Sequence, residues 1–85
     1  MNNFIIEENK IYLKENNKVL AEIEFKKIDN NTYNIYHTYV DEKLRGQGIA
    51  SSLVEKAVKY IESKNKKVTA SCSYAQKWLE KNYRK

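Results

Sequence analysis

The hydrophobic pattern changes its period near residue 46, and this change restricts the possible folds more than any other feature of the sequence. Residues 4–40 alternate apolar and polar side chains in short runs, which is typical of half-buried strands. Residues 49–61 repeat apolar side chains every three or four positions, which is typical of one helix face. That face comprises Ile49, Ala50, Leu53, Val54, Ala57, Val58 and Ile61. The chain therefore begins with strands and continues with a helix.

The order of the predicted elements indicates the fold class. Residues 4–40 predict an antiparallel meander of about four strands, because turns rich in asparagine separate the runs. A helix over 47–64 is long enough to cross over to a strand at 67–72, which then lies parallel to the strand at 32–40. Residues 73–76 have the serine and glutamine spacing of a capping box and begin a short C-terminal helix. We therefore predict a small α/β (α+β) fold.

The composition excludes several classes of protein. With 85 residues, the chain is expected to form a single domain over residues 1–85. The single cysteine excludes a disulfide framework and cannot alone form a structural zinc site, so we expect no metal centre and a reducing, cytoplasmic location. No apolar stretch approaches the length of a membrane span, and the N-terminus lacks the pattern of a secretion signal. We expect a monomer or weak dimer that does not enter a membrane.

Charge is distributed unevenly along the chain. Residues 1–42 contain five basic and eight acidic side chains, a net charge of −3, whereas residues 43–85 contain eleven and three, a net charge of +8. A basic half either binds an anionic partner or forms a solubilising surface. Nucleic acid is one such partner, but the tyrosines are spread through the predicted strands and helices without the paired aromatics of an RNA-binding sheet. The sequence therefore argues against nucleic-acid binding.

Both glycines of the chain, Gly46 and Gly48, lie between the predicted strands and the long helix. Glycine lets a ligand approach the backbone, and the first N–H groups of a helix, with the positive end of its dipole, favour phosphate. A plain structural turn has the same appearance, so the glycines alone leave both interpretations open. The segment is neither a Walker loop nor a dinucleotide fingerprint, because it lacks the lysine–serine pair of the first and the third glycine of the second.

The residues around this turn resemble a known family. Arg45-Gly46-Gln47-Gly48-Ile49-Ala50 fits the Arg/Gln-x-x-Gly-x-Gly/Ala signature of the GNAT superfamily of acyl-CoA-dependent N-acetyltransferases. His37-Thr38-Tyr39-Val40 before it and Cys72-Ser73-Tyr74 after it resemble the His-Thr-x-Val and Cys-x-Tyr motifs of a compact GNAT-like subfamily. The resemblance extends over roughly residues 20–85. Three motifs in this order favour the ligand-binding interpretation of the glycine turn.

This resemblance implies that acetyl-CoA is the cofactor. In such proteins the backbone amides of the turn hold the pyrophosphate; here that role falls to Arg45, Gly46, Gln47, Gly48, Ile49 and Ala50, with Ser51 at the helix start. The pantetheine arm would run along the strand that ends in Tyr39 and Val40, where it diverges from the strand at 67–72. Coenzyme A is a polyanion, so a site in the basic half agrees with the charge distribution. The Arg45 guanidinium is a further candidate phosphate ligand.

Cys72 and His37 are candidate catalytic residues. A thiol at a helix N-terminus has a lowered pKa, because the helix dipole and nearby lysines stabilise the thiolate. The predicted topology places Cys72 beside the strand that carries His37, so we expect a Cys–His pair near the thioester. The alternative for Cys72 is a buried, inert cysteine. For His37, which alternation places on the face of Tyr33, Ile35 and Tyr39, the alternative is a half-buried histidine with satisfied hydrogen bonds.

The sequence departs from the larger family on the acceptor side. Leu79 falls where many members have the tyrosine that protonates the leaving thiolate, so Tyr74 or Tyr83 would have to supply that proton. Cys72 falls where a typical member has asparagine, and the chain lacks the pair of helices that usually forms much of the acceptor pocket. Trp78 is expected to anchor the core rather than to bind a ligand.

The sequence therefore predicts an acetyl-CoA-dependent acyltransferase with an unknown amine acceptor. The amine would attack the thioester directly, with His37 or water as the base, or Cys72 would take the acetyl group first and pass it on. A non-catalytic acetyl-CoA-binding or sensing module is the alternative, because the usual acid is missing and the acceptor pocket is reduced.

Overall fold

The computed structural model describes residues 4–82 as a five-stranded sheet with two helices. In chain order the elements are β1 (Phe4–Glu7), β2 (Lys10–Glu15), β3 (Lys18–Asp29), β4 (Thr32–Val40), α1 (Ile49–Ser63), β5 (Lys67–Ala70) and α2 (Ser73–Asn82), with a short 3-10 turn at Glu42–Leu44. The strands lie in the order β1-β2-β3-β4-β5. The first four pair antiparallel, and β5 pairs parallel to β4. The predicted α+β fold is thereby confirmed.

Asparagine and aspartate close the turns around the sheet without glycine. Asn16 and Asn17 join β2 to β3 with φ of 51° and 64°, a left-handed conformation that asparagine tolerates. The turn from β3 to β4 closes differently, because the Asp29 carboxylate accepts the N–H of Asn31 at 2.8 Å. That hydrogen bond also lowers the pKa of Asp29. The two glycines are therefore confined to the connection between β4 and α1.

The hydrophobic core lies between one face of the sheet and α1. The buried residues of α1 are Ile49, Leu53, Val54, Ala57, Val58 and Ile61, which are those of the predicted helix face except Ala50. Phe25 of β3 has no exposed surface, and its ring packs 6.2 Å from the ring of Tyr33 and 5.8 Å from that of Tyr60, measured between centroids. Phe25 of β3 therefore contacts both β4 and α1.

A β-bulge in β4 reverses the face on which the end of the strand places its side chains. Ile35 pairs with Phe25, but His37 pairs with Glu24, so Tyr36 is the extra residue. Paired residues of an antiparallel ladder share a face. Ile35 therefore faces α1, whereas His37 lies on the open face of the sheet. The expectation that His37 shares a face with Tyr33 and Ile35 was wrong, because simple alternation cannot include a bulge.

The structure places three boundaries of helices and strands differently from the sequence prediction. The first helix begins at Ile49 rather than residue 47, because Gly48 is its N-cap. Strand β5 ends at Ala70 rather than residue 72. Helix α2 begins at Ser73, so Cys72 occupies the N-cap position predicted for Ser73. The side-chain amide of Gln76 donates to the carbonyl of Ala70, so it does not close a capping box.

Within residues 4–82, neither helix is long and apolar enough to cross a membrane.

Candidate functional site

The glycine turn connects the end of β4 to the start of α1 through a fixed backbone path. The backbone N–H of Asp41 donates to the carbonyl of Leu20 on β3 at 2.8 Å. The Asp41 carboxylate accepts the N–H of Lys43 at 2.9 Å, which, with the charge of nearby Lys18, holds the pKa of Asp41 below its usual value. The guanidinium of Arg45 returns to the strand, with Nε 3.2 Å from the carbonyl oxygen of Val40. These contacts fix where the two glycines lie.

Gly46 and Gly48 are required by backbone conformation rather than by packing. Their φ angles are 83° and 77°, in the left-handed region that side chains with a Cβ atom disfavour. A Cβ atom built on either glycine would have no contacting atom of the described chain within 4 Å. The space in front of the turn is therefore open to a ligand, and a side chain at either position would project into it.

The first turn of α1 has N–H groups available for an anion. Gly48 caps the helix without a side chain that accepts from those N–H groups, and the first turn contains no acidic residue. The helical ladder starts with the N–H of Ser52, which donates to the carbonyl of Gly48 at 3.0 Å. Uncapped N–H groups and the positive end of the helix dipole together form an anion-binding position.

A cavity of about 220 Å³ brings most of the predicted cofactor residues together. Its lining consists of Val40, Leu44, Arg45, Gly46, Gly48, Ile49, Ala50, Ser51 and Tyr74. We call it the glycine-turn cavity. The sequence did not lead us to predict Leu44, although its position directly before the arginine of the signature could have indicated it.

Two predicted cofactor residues lie outside the lining of the glycine-turn cavity. The side-chain amide of Gln47 folds back to donate to the carbonyl of Lys43 at 3.3 Å. Tyr39 pairs with Glu22 across the ladder, so its side chain lies on the open face of the sheet and is 38% exposed. The backbone of Gln47 remains as a candidate ligand. The amide and carbonyl of Tyr39 face β3, because the hydrogen bond from Asp41 to Leu20 makes Tyr39 and Glu22 a hydrogen-bonded pair of the ladder.

Strands β4 and β5 diverge beyond Ile35. Their parallel pairing extends from Thr32 with Lys67 to Ile35 with Ala70. The next two N–H groups, of Ser71 and Cys72, both donate to the carbonyl of Ile35, at 3.0 and 3.3 Å. Strand β4 continues to Val40, so in the described chain its last five residues have no β5 partner. The divergence predicted from the sequence is present, and it leads to the glycine-turn cavity.

Cys72 lies at this divergence with a partner other than His37. Its Sγ atom is 3.4 Å from the hydroxyl oxygen of Thr38, which the bulge directs to the α1 side of the sheet. Partial burial raises the pKa of the thiol, but hydrogen bonds from the hydroxyl of Thr38 and from the backbone N–H groups of Ala75 and Tyr74 outweigh it, so the pKa is lowered overall. The thiol thus has the environment of a nucleophile.

His37 is separated from Cys72 by the sheet, so the expected Cys–His pair was wrong. The His37 Nε2 atom lies 3.2 Å from a carboxylate oxygen of Glu22, and both side chains are partly exposed on the open face. Ligand atoms of Glu22, Glu24 and His37 lie within 4.8 Å of one another, a cluster that sequence reasoning missed because the bulge aligns it. The arrangement can accept a proton or attract a cation.

The candidate acids differ in their surroundings. Tyr74 is 41% exposed and lines the glycine-turn cavity, whereas Tyr83 lies outside the described residues. Leu79 is 1% exposed, so its side chain lies in the core rather than in the glycine-turn cavity. Trp78 packs partly buried against the core, as expected of an anchor, and its Nε1–H also donates to the Ser51 hydroxyl at 2.9 Å.

Thr38→Val is expected to raise the pKa of Cys72. The substitution removes the hydroxyl that stabilises the thiolate and retains the shape of the side chain. The pH dependence of thiolate absorbance should move to higher pH, and alkylation by iodoacetamide at neutral pH should slow. A thiol pKa that folding lowers stabilises the folded state, fully so at pH above the pKa of the unfolded chain. The wild type should therefore lose this advantage over the variant as pH falls through the pKa of the folded protein.

The matched control is Thr69→Val on the neighbouring strand. The hydroxyl of Thr69 donates to Tyr33 and Asn34 rather than to Cys72, so its removal should leave the thiol titration in place. An unchanged titration in Thr38→Val would show that the hydroxyl does not set the thiol pKa.

Comparisons with known proteins show which family and which solved structures the chain is similar to. A family profile described as GCN5-related N-acetyltransferase matches residues 8–84. A GCN5-like protein of Staphylococcus aureus, solved by NMR, is 41% identical, with a TM-score of 0.77 over 94% of this chain and 79% of that one. A "predicted acetyltransferase" of Clostridium acetobutylicum, solved with acetyl-CoA, is 20% identical and shares the fold, with a TM-score of 0.65 over 89% of this chain and 56% of that one.

A curated relative matches over a shorter stretch. Protein NATD1 of Xenopus tropicalis is 31% identical over 55 residues, which are 65% of this chain and 50% of that protein. The chain thus spans about half the length of this relative.

Proposed function

The chain belongs to the GCN5-related N-acetyltransferase family, and from this we propose that it binds acetyl-CoA at the glycine turn and transfers the acetyl group to an amine acceptor. One observation carries the proposal. The glycine-turn cavity joins the open backbone of Gly46 and Gly48 to the uncapped first turn of α1. Seven of the predicted cofactor residues line this one cavity.

The residues present fit the pyrophosphate of coenzyme A. The N–H groups of the turn and of the first turn of α1 are the hydrogen-bond donors that a phosphate needs, and no side chain competes for them at the N-cap. The guanidinium of Arg45 adds a charged donor at the end of β4. When bound, acetyl-CoA would supply an acetyl thioester, the reactive group of the transfer.

The free edge of β4 suits the pantetheine arm. Backbone groups of the strand from Tyr36 to Val40 have no β5 partner in the described chain, and they lead from the divergence at Ile35 to the glycine-turn cavity. The amide groups of the pantetheine arm can form hydrogen bonds with backbone groups of this edge, which would otherwise bond to water. We infer that the backbone of Val40 takes this role, because its amide and carbonyl face the free edge, whereas those of Tyr39 face β3.

The chain's own side chains offer two ways to assist the transfer. The imidazole of His37, held by Glu22 on the open face, is a base for the amine that attacks directly. Alternatively, the Cys72 thiolate would take the acetyl group with release of the coenzyme A thiolate, and the amine would then displace the Cys72 thiolate and lose its proton to solvent. Tyr74 is the candidate acid in either route because its side chain lines the cavity.

A non-catalytic acetyl-CoA-binding module is the second candidate function. The observation that favours it is the buried Leu79, since a leucine in the core cannot supply the proton that the tyrosine of the larger family supplies. Both candidates share the same cofactor site and differ in turnover.

Titration with acetyl-CoA tests the proposal. We expect amide chemical shifts to change at Gly46 to Ser51 and at Cys72, and coenzyme A thiol to appear when amines and peptides are added as acceptors. Binding without thiol release across that panel would favour the non-catalytic module. Absence of shift changes at the glycine turn would contradict both candidates.

Cys72→Ala distinguishes the two routes of transfer. If Cys72 carries the acetyl group, the wild type incubated with acetyl-CoA should gain the mass of one acetyl group, and the variant should lose at least about 100-fold in turnover. Full turnover in Cys72→Ala would exclude the Cys72 route and leave direct attack. Cys72→Ser is the matched control, since its hydroxyl retains the size of the side chain but is a much weaker nucleophile.

A further inference from the structure

A second cavity, of about 390 Å³, lies beside the glycine-turn cavity along α2. We call it the α2 cavity; its lining consists of Ser51, Tyr74, Lys77, Trp78, Lys81 and Asn82. Ser51 and Tyr74 line both cavities, so the two adjoin at the first turn of α1. A ligand bound in the glycine-turn cavity can therefore extend directly into the α2 cavity.

Hydrogen bonds fix one wall of the α2 cavity. The indole N–H of Trp78 donates to the hydroxyl of Ser51 at 2.9 Å, which joins the middle of α2 to the first turn of α1. The side-chain amide of Asn82 donates to the carbonyl of Trp78 at 3.2 Å. Leu79 belongs to the core and Trp78 packs against it, so α2 is held to the rest of the protein along this side.

Two lysines give the α2 cavity a positive charge. Lys77 and Lys81 are one helical turn apart, which places both on the same side of α2. Like charges at this spacing oppose helix formation, and neither lysine takes part in the ion pairs found among residues 4–82. Their charges are therefore available to an anion that enters the cavity.

We propose that Lys77 and Lys81 bind the 3′-phosphate of coenzyme A, an inference that rests on the proposed function. In coenzyme A the 3′-phosphoadenosine follows the pyrophosphate, on the side away from the thioester. With the pyrophosphate at the glycine turn and the pantetheine arm on β4, a nucleoside that leaves past Ser51 in the first turn of α1 enters the α2 cavity. The dianionic 3′-phosphate matches the two lysine charges.

These two lysines would make the protein selective for coenzyme A over dephospho-coenzyme A, which lacks only the 3′-phosphate. Calorimetric titration should show that the wild type binds coenzyme A about tenfold more tightly than dephospho-coenzyme A at low salt. In Lys77→Gln/Lys81→Gln the affinity for coenzyme A should fall to that for dephospho-coenzyme A. The affinity for dephospho-coenzyme A should stay within about twofold of the wild-type value, which also shows that the variant is folded.

Matched variants separate the lysines from general charge. Lys14→Gln/Lys27→Gln removes the same net charge from exposed positions on the strands, and it should retain the tenfold preference. Lys77→Arg/Lys81→Arg should retain it as well. Equal wild-type affinities for the two ligands, or an undiminished preference in Lys77→Gln/Lys81→Gln, would overturn the inference and leave the proposed function intact. Failure to bind either ligand would instead overturn the proposed function itself.

Discussion

Gly48→Val is expected to abolish acetyl-CoA binding, lowering the affinity more than about 100-fold, or roughly 2.7 kcal/mol. The valine side chain would project into the open space in front of the turn, where the ligand phosphates would lie under the proposed function. Since that space contains no protein atom within 4 Å, the fold has room for the side chain, and only the ligand is displaced. Gly46→Val should behave in the same way. Calorimetry and chemical-shift titration measure the effect.

Backbone strain is the competing explanation, and a second valine substitution controls for it. Valine at the φ of 77° of Gly48 should lower the free energy of unfolding by about 1–2 kcal/mol. Asn17→Val imposes the same strain at a φ of 64° in the turn between β2 and β3, away from the cavity. It should cost similar stability and leave acetyl-CoA affinity unchanged. Unchanged affinity in Gly48→Val, or an equal loss in both variants, would contradict the assignment of the glycine turn.

Phe25→Ala is expected to cause the largest loss of stability, about 3–5 kcal/mol in the free energy of unfolding. The ring has no exposed surface and lies between Tyr33 of β4 and Tyr60 of α1, so its removal leaves a cavity where the sheet meets the helix. For a domain of this size the melting temperature should fall by roughly 15–30 °C. Urea and thermal denaturation measure both quantities.

The control for Phe25→Ala lies three residues along the same strand. Ile28 is 52% exposed, and Ile28→Ala should change the free energy of unfolding by less than about 0.5 kcal/mol. Phe25→Leu, which retains much of the buried volume, should fall between the two. A loss below about 1 kcal/mol in Phe25→Ala would mean that β4 and α1 close around the cavity, so that Phe25 does not connect them.

The glycine turn could be predicted from the sequence because its signal is local. Gly46 and Gly48 are the only glycines, and both adopt positive φ before the uncapped start of α1. Helix periodicity located that start within two residues. The neighbouring cavity residues Ile49 to Ser51 followed from the resemblance, since they belong to the same short segment.

The partners of Cys72 could not be predicted in the same way. The bulge at Tyr36 shifts the register of β4 by one residue, which directs Thr38 toward Cys72 and His37 toward Glu22. The side chains of a strand alternate with a period of two, so one inserted residue exchanges the faces of all residues after it. No residue type in His37-Thr38-Tyr39-Val40 marks this insertion, because a bulge depends on the pairing of two strands.

The α2 cavity also depends on tertiary packing. Lys77 and Lys81 appear in the sequence as ordinary exposed lysines of a short helix, and Trp78 as a core anchor. Only the packing of α2 on the first turn of α1, through the hydrogen bond from Trp78 to Ser51, places these lysines around one cavity with Ser51. The distance along the chain between the two segments hides their proximity.

The sequence alone determined the order of strands and helices, the basic second half and the glycine turn at the start of α1, because periodicity, charge and backbone freedom are properties of neighbouring residues. The tertiary structure decided which side chains meet: Thr38 with Cys72, Glu22 with His37, and Ser51 with Trp78. These contacts join residues between 15 and 34 positions apart. Strand register and helix packing set such contacts, and both are properties of the assembled sheet rather than of any one segment.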